Sequence, residues 1–124
     1  MTINDPDVIA ELRELYPLYE QALVTNDVEK LDEMFWRDSR AMRFGATENL
    51  YGYKEIQAFR KARPAANLER KIARLDIVSF GNDFGSITLE FERGTLSGRQ
   101  TQTWVRFAEG WRIVSAHVSL ISSL

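Results

Sequence analysis

Arginine dominates the side chains here that could do chemistry: of 16 basic residues, twelve are Arg and four are Lys. A guanidinium is a planar fork that grips a carboxylate through two parallel hydrogen bonds; the base composition of the coding DNA is the plainer cause of the excess. Arg43 stands out by its neighbours. In the alternation of a short strand it shares a face with Ala41 and Gly45, both small. That leaves room beside it for an anionic ligand, or for a structural partner such as Glu48. Arg60 and Arg63 lie one helical turn apart and read either as ligand groups or as a solvated helix edge. His117 is the only histidine; between Ser115 and Ser119 on a strand face, it serves either a site or the structure. Gln102 and Trp104 share a face with Arg106 and line either a pocket or a subunit contact. Asn49 stands just before a helix, placed either to bond a substrate carbonyl or to cap the loop. Tyr19 falls in an apolar helical stripe, where a core tyrosine bonded to backbone competes with a hydroxyl that does work.

Much chemistry is excluded. The 124 residues contain no cysteine, which removes a disulfide framework, a thiolate zinc site, an iron–sulfur site and a thiol nucleophile. A single histidine cannot supply a three-histidine metal centre within one chain. No metal or dinucleotide motif is recognisable, so no cofactor is expected. Sixteen basic residues against 18 acidic ones leave a net charge of −2, without the basic footprint of a nucleic-acid binder. No signal peptide or spanning segment is visible. The expectation is one soluble cytoplasmic domain over residues 1–124.

The elements that must position these residues follow from periodicity. Asp5-Pro6-Asp7 opens a helix whose stripe, Val8, Ile9, Leu12, Leu15, Tyr16, Tyr19, Ala22 and Leu23, runs to about Thr25. Pro17 inside it predicts a bend near Arg13. A short second helix begins with Asn26 as cap and buries Val28, Leu31, Met34 and Phe35. A short strand lies within 38–47. A third helix spans Tyr53 to Arg63, with Tyr53, Ile56, Phe59 and Ala62 as its stripe, and Pro64 ends it. Four strands follow: 70–80, 84–95, 99–107 and 111–121, with turns at 81–83, 96–98 and 108–110. In the last, Val114, Ala116, Val118 and Leu120 alternate with Trp111, Ile113, Ser115 and His117. A strand apolar on both faces needs cover on both, which predicts a homodimer packed sheet against sheet. Helices first and an antiparallel meander after make an α+β domain.

This layout resembles the cone-shaped α+β fold shared by nuclear transport factor two, ketosteroid isomerase and scytalone dehydratase, in which three helices pack on a curved sheet and leave a pocket in the cone. Several stretches are similar to one branch, the AtzH-like family: Tyr19-Glu20-Gln21-Ala22-Leu23, Arg43-Phe44-Gly45, Glu48-Asn49-Leu50-Tyr51-Gly52-Tyr53, residues 58–64, residues 98–107 and Trp111-Arg112-Ile113-Val114 within 110–120. The family includes small proteins of cyanuric-acid breakdown and relatives encoded with oxalurate and purine catabolism. The resemblance implies a cofactor-free decarboxylase acting on 1,3-dicarboxyurea and yielding allophanate, with a helix-one Tyr and a first-strand Arg as essential residues. Here these fall at Tyr19 and Arg43. Asn49, Arg63, Gln102, Trp104 and His117 are the candidate substrate-binding residues. A competing expectation is a non-catalytic small-anion binder, or an accessory partner of an amidase in the same pathway. The Asp general base of a steroid isomerase is disfavoured. Asp76 faces Arg74 as an ion pair, and Glu90 and Glu92 lie on a polar face.

Overall fold

The protein was analysed as a computed structural model, which describes residues 1–122. Three helices and six strands alternate as α1 (Pro6–Thr25), α2 (Val28–Met34), β1 (Met42–Phe44), β2 (Asn49–Tyr51), α3 (Tyr53–Ala62), β3 (Lys71–Phe80), β4 (Phe84–Arg93), β5 (Leu96–Phe107) and β6 (Gly110–Ser122). The strands form one curved, unclosed sheet in the order β2-β1-β6-β5-β4-β3, and the helices cover its inner face. All contacts between strands are antiparallel except β1 on β6, which is parallel. No helix among the described residues is long and apolar enough to cross a membrane.

Local chemistry sets the helix ends. The Asp5 carboxylate accepts from the Asp7 and Val8 amides, and Pro6 occupies the first turn, where its missing N–H costs nothing. The helix passes through Pro17 unbroken and closes on Asn26, whose left-handed backbone caps the end. Asn26 is thus a C-cap rather than the expected N-cap of α2. That role falls one residue on, to Asp27, which accepts from the Lys30 amide. Strand β2 was not foreseen, since its three residues carry no alternation long enough to read. The turn into β5 lies at Gly94-Thr95 rather than 96–98, because Gly94 takes a positive φ that a two-residue hairpin needs.

The largest difference from the sequence pattern is in β6. Thr103 pairs with Ser115, yet Trp104 pairs with Ile113, leaving Val114 unmatched as a β-bulge. The bulge reverses the alternation. Trp111 and Ile113 point inward before it, and Ala116, Val118 and Leu120 point inward after it. What read as two apolar faces is one, with Ser115, His117 and Ser119 on the other. The argument for a second copy of the chain that rested on a two-sided strand lapses with the strict alternation.

The inner face and the helices enclose the core, from Val8 and Leu12 of α1 through Phe35 and Ile56 to Ile87, Leu89, Phe91, Trp104 and Ile113. One packing relation positions a charged group. Gly98 of β5 lies beneath the Phe91 ring, where a Cβ would strike the ring directly. The Arg70 guanidinium lies over that same ring, 4.2 Å from its centroid. Substituting Gly98→Val should overpack this stack and cost about 1–3 kcal/mol of stability, read as a lower urea midpoint with an unchanged slope. A midpoint equal to that of the unsubstituted protein would show that the ring can move aside freely.

Candidate functional site

The helices and the sheet meet at one end of the cone around arginines. Arg43 is the middle residue of β1, paired with Leu50 on one side and Ala116 of β6 on the other, so it faces inward as the alternation predicts. Only 6% of it is exposed. Its Nη1 donates to Glu48 Oε1 at 3.1 Å, and its guanidinium lies 5.5 Å from the Phe59 ring centroid. The room that Gly45 leaves is where the Glu48 carboxylate sits, since a Cβ there would meet it. The two readings of Arg43 therefore hold together: it is paired with Glu48, and it also borders a cavity of about 210 Å³. Arg63, Arg93, Glu48, Phe59, Val118 and Leu120 also line that cavity.

Arg63, the C-cap of α3, donates from Nη2 to Asn26 Oδ1 at 3.3 Å, while its buried Nε has no partner among the described residues. Partial burial and the neighbouring charges of Arg60 and Arg43 bring its pKa down to about 10. Arg93 donates only to the backbone carbonyls of Leu68 and Glu69. Behind this rim lies Arg60, fully withdrawn from water. It sits between aromatic rings, 5.2 Å from the Phe35 centroid and 5.9 Å from that of Tyr19. Its Nη2 donates to Tyr19 Oη at 3.2 Å, and its Nε and Nη1 have no partner. Burial lowers its pKa, as desolvation must for a cation.

Tyr19 is buried on α1 and does not border the cavity. Burial raises its pKa, but Arg60, Arg43 and Arg70 together more than offset that, and the hydroxyl lies below the ordinary tyrosine range. One turn earlier, Tyr16 has the opposite environment. Burial and the Glu20 carboxylate, to which its hydroxyl donates at 2.8 Å, hold its pKa well above the ordinary range. Arg70 completes that second cluster by bonding Glu20 through Nε and Nη2 at 2.9 and 2.8 Å and Gln100 Oε1 at 2.9 Å. Arg70 and Arg43 thus each have a carboxylate. Arg60, Arg63 and Arg93 form no ion pair among the described residues. The nearest other acid, Asp32, acts on Arg60 from a distance and takes its own hydrogen bond from Gln57. Several cations with too few anions, and N–H groups with no acceptor, make a site for an anionic ligand.

The remaining candidates divide. Gln102 and Trp104 are buried on the inner face, joined by a 3.0 Å bond from Trp104 Nε1 to Gln102 Oε1, and Gln102 Nε2 has no partner. Neither residue borders the cavity; both pack inside the chain rather than against another subunit. His117 and Asn49 lie elsewhere. His117 aligns with Phe44 across the parallel pair, and Asn49 lies opposite Phe44 across the antiparallel one. All three therefore share the outer face, and the His117 ring packs edge-on to Phe44 at 5.8 Å. The sheet separates both from the cavity. Arg60, which the sequence left as a ligand group or a solvated helix edge, is buried, whereas Ala62 of the expected apolar stripe is exposed. The available signal was the four-residue step from Ile56 to Arg60, which puts a charge on the buried side of α3.

Comparison with known proteins agrees with this architecture. The sequence model of the AtzH-like family matches residues 1–123. A crystal structure of a protein of unknown function from Pectobacterium atrosepticum is 51% identical with a TM-score of 0.94, covering 97% of this chain and 95% of that one. A cystatin-like fold protein from Burkholderia xenovorans is 40% identical with the same TM-score of 0.94, covering 98% of each chain. An NTF2-like protein of unknown function from Pseudomonas putida, 17% identical with a TM-score of 0.77 over 93% of this chain and 87% of that one, shares the fold. No curated protein matches the chain.

The Glu20–Arg70 pair gives the site a pH dependence of defined sign. Burial would raise the Glu20 carboxyl, but Arg70 and the Tyr16 hydroxyl more than offset it and hold it below the usual range. A carboxyl depressed on folding adds stability above its unfolded pKa of about 4.3, and that stability is lost as pH falls through the folded value. Glu20→Gln should therefore lower the urea midpoint at neutral pH and flatten its decline on acidification. An acid decline as steep as that of the unsubstituted protein would show that the pair is not the coupled group.

Proposed function

The chain belongs to the AtzH-like family, and from that membership together with the arginine-lined cavity we propose that it removes carbon dioxide from a small N-carboxylated urea. The reaction type is 1,3-dicarboxyurea to allophanate. The supporting observation is the charge imbalance at the cavity: Arg63 on its lining and Arg60 behind it carry buried N–H groups without acceptors, and among the described residues the one carboxylate bordering the cavity, Glu48, is engaged with Arg43.

The chemistry asks little of a protein. In the dianion, the bond between one carboxylate carbon and its nitrogen breaks. Carbon dioxide leaves, the electron pair stays on nitrogen, and that nitrogen takes one proton. The dianion plus a proton gives the allophanate monoanion and carbon dioxide. Arg43 and Arg63 hold the carboxylate that is kept, through charge-assisted hydrogen bonds. The family pattern assigns the proton to Tyr19; because its hydroxyl does not border the cavity, the side chains between them must make way as substrate binds, and solvent returns the proton by the same path. The half-apolar wall of Phe59, Val118 and Leu120 keeps water from the leaving carboxylate and strengthens the field of the arginines. Positioning and electrostatics carry the rate.

The test is carbon dioxide release from freshly prepared 1,3-dicarboxyurea. Arg43→Ala should weaken binding of the dianion. Tyr19→Phe keeps the ring in the core and removes only the hydroxyl. It should lower turnover by about 10²–10⁴-fold, the usual worth of acid–base assistance, while stability falls by only about 0.5–1.5 kcal/mol. Near-normal turnover in Tyr19→Phe would end the proposed role of that hydroxyl. Tight binding of the dianion with no release of carbon dioxide by the unsubstituted protein would replace the enzyme by a binding protein.

A further inference from the structure

The direction of one buried hydrogen bond carries an inference about Arg60. A guanidinium has N–H donors and no acceptor. In the 3.2 Å contact between Arg60 Nη2 and Tyr19 Oη, the hydroxyl oxygen must therefore accept. The hydroxyl proton is left to point elsewhere, and it has no acceptor among the described residues. Tyr16, on the same helix, is wired in the opposite sense: its proton is committed to Glu20, and Arg70 and Gln100 both donate to its oxygen. Arg60 meanwhile is fully buried, forms no ion pair, and makes its one side-chain hydrogen bond to the Tyr19 oxygen. An unpaired buried cation is strongly unfavourable, and removing its partner leaves it worse. The group placed to act as its counter-ion is the Tyr19 oxygen.

We propose that Arg60 is the positioning residue for Tyr19: its guanidinium fixes the hydroxyl with the proton turned outward to donate, and it balances the phenolate left when that proton is given up. The place of this pair in a reaction rests on the decarboxylation proposed above; the pair itself and its titration need no substrate. In the step, the Tyr19 O–H bond breaks as the new N–H bond forms on the leaving nitrogen. The negative charge passes to the phenolic oxygen beside Arg60, and solvent returns the proton. The other groups acting on the pair are Arg43 from β1, Arg70 at the start of β3, Arg63 from α3 and Tyr16 from α1, with Asp32 of α2 acting on Arg60. Burial opposes the phenolate most strongly, and Arg60, Arg43 and Arg70 together more than offset it. The depressed pKa of Tyr19 has the sign this geometry requires.

The experiment is an ultraviolet titration of tyrosinate in the unsubstituted protein, Tyr19→Phe, Arg60→Met and Arg60→Lys, with circular dichroism at each pH to follow the fold. There are four tyrosines, Tyr16, Tyr19, Tyr51 and Tyr53. The unsubstituted protein should show one tyrosine ionising ahead of the ordinary range, and Tyr19→Phe should lack that step. Arg60→Met should move the step to higher pH, and Arg60→Lys, which keeps a cation and a donor, should move it less. If Tyr19→Phe removes only a late ionisation, or if either folded Arg60 variant leaves the early step in place, the proposal is overturned. Should Arg60→Met not fold, the Arg60→Lys comparison decides. Carbon dioxide release is a separate readout, so an early Tyr19 step in a protein that releases none would retain the pair and discard the reaction.

Discussion

A buried guanidinium without a carboxylate is the constraint from which the rest of this molecule can be understood. Withdrawing Arg60 from water costs several kcal/mol unless charge or hydrogen bonds compensate, and the fold supplies one phenolic oxygen and two ring faces. The core around it is therefore held together by the surrounding apolar contacts and not by this residue. A protein that tolerates such a cost at one end of its cone, while pairing Arg70 and Arg43 with carboxylates close by, carries arginines with a carboxylate partner beside arginines without one.

Arg43 lies in β1, where strand register sets its neighbours, and Arg70 immediately precedes β3. Arg70 is set down on Phe91 by the space that Gly98 leaves, and Arg43 is flanked by Leu50 and Ala116. Arg60 lies in α3 and Arg63 is its C-cap; the start of that helix is capped by a glycine without a side-chain hydrogen bond. Around the cavity, the arginines without ion pairs among the described residues are Arg60 in α3, Arg63 at its C-cap and Arg93 at the end of β4.

The sequence made the order of elements, the α+β class and the inward direction of Arg43 legible, because helical stripes and strand alternation are properties of neighbours in the chain. It also placed Tyr19 on the buried stripe of α1. Arg60 was harder to read: a charge at a stripe position looks like the edge of the stripe until the partners across space are known, and Tyr19 and Phe35 are 41 and 25 positions away. His117 and Asn49 were misplaced for a related reason. Both sit beside motif residues in the chain, and only the cross-strand alignment with Phe44 shows that the sheet lies between them and the cavity. Three-residue β2 gave no periodicity to read, yet its pairing with β1 holds Arg43 in place.

The unmatched Val114 divides β6 into two segments that keep opposite phases on one continuous backbone. Before it, odd-numbered residues build the floor under the helices, with Trp111 and Ile113; after it, even-numbered residues build the cavity wall, with Val118 and Leu120. The two jobs are therefore written in separate reading frames. A change of side chain on one side of the bulge leaves the inside–outside sense of the other intact, whereas the loss of the single residue between them would turn one segment over as a block. The wall of the cavity can vary from member to member without disturbing the floor, and the length of the strand cannot.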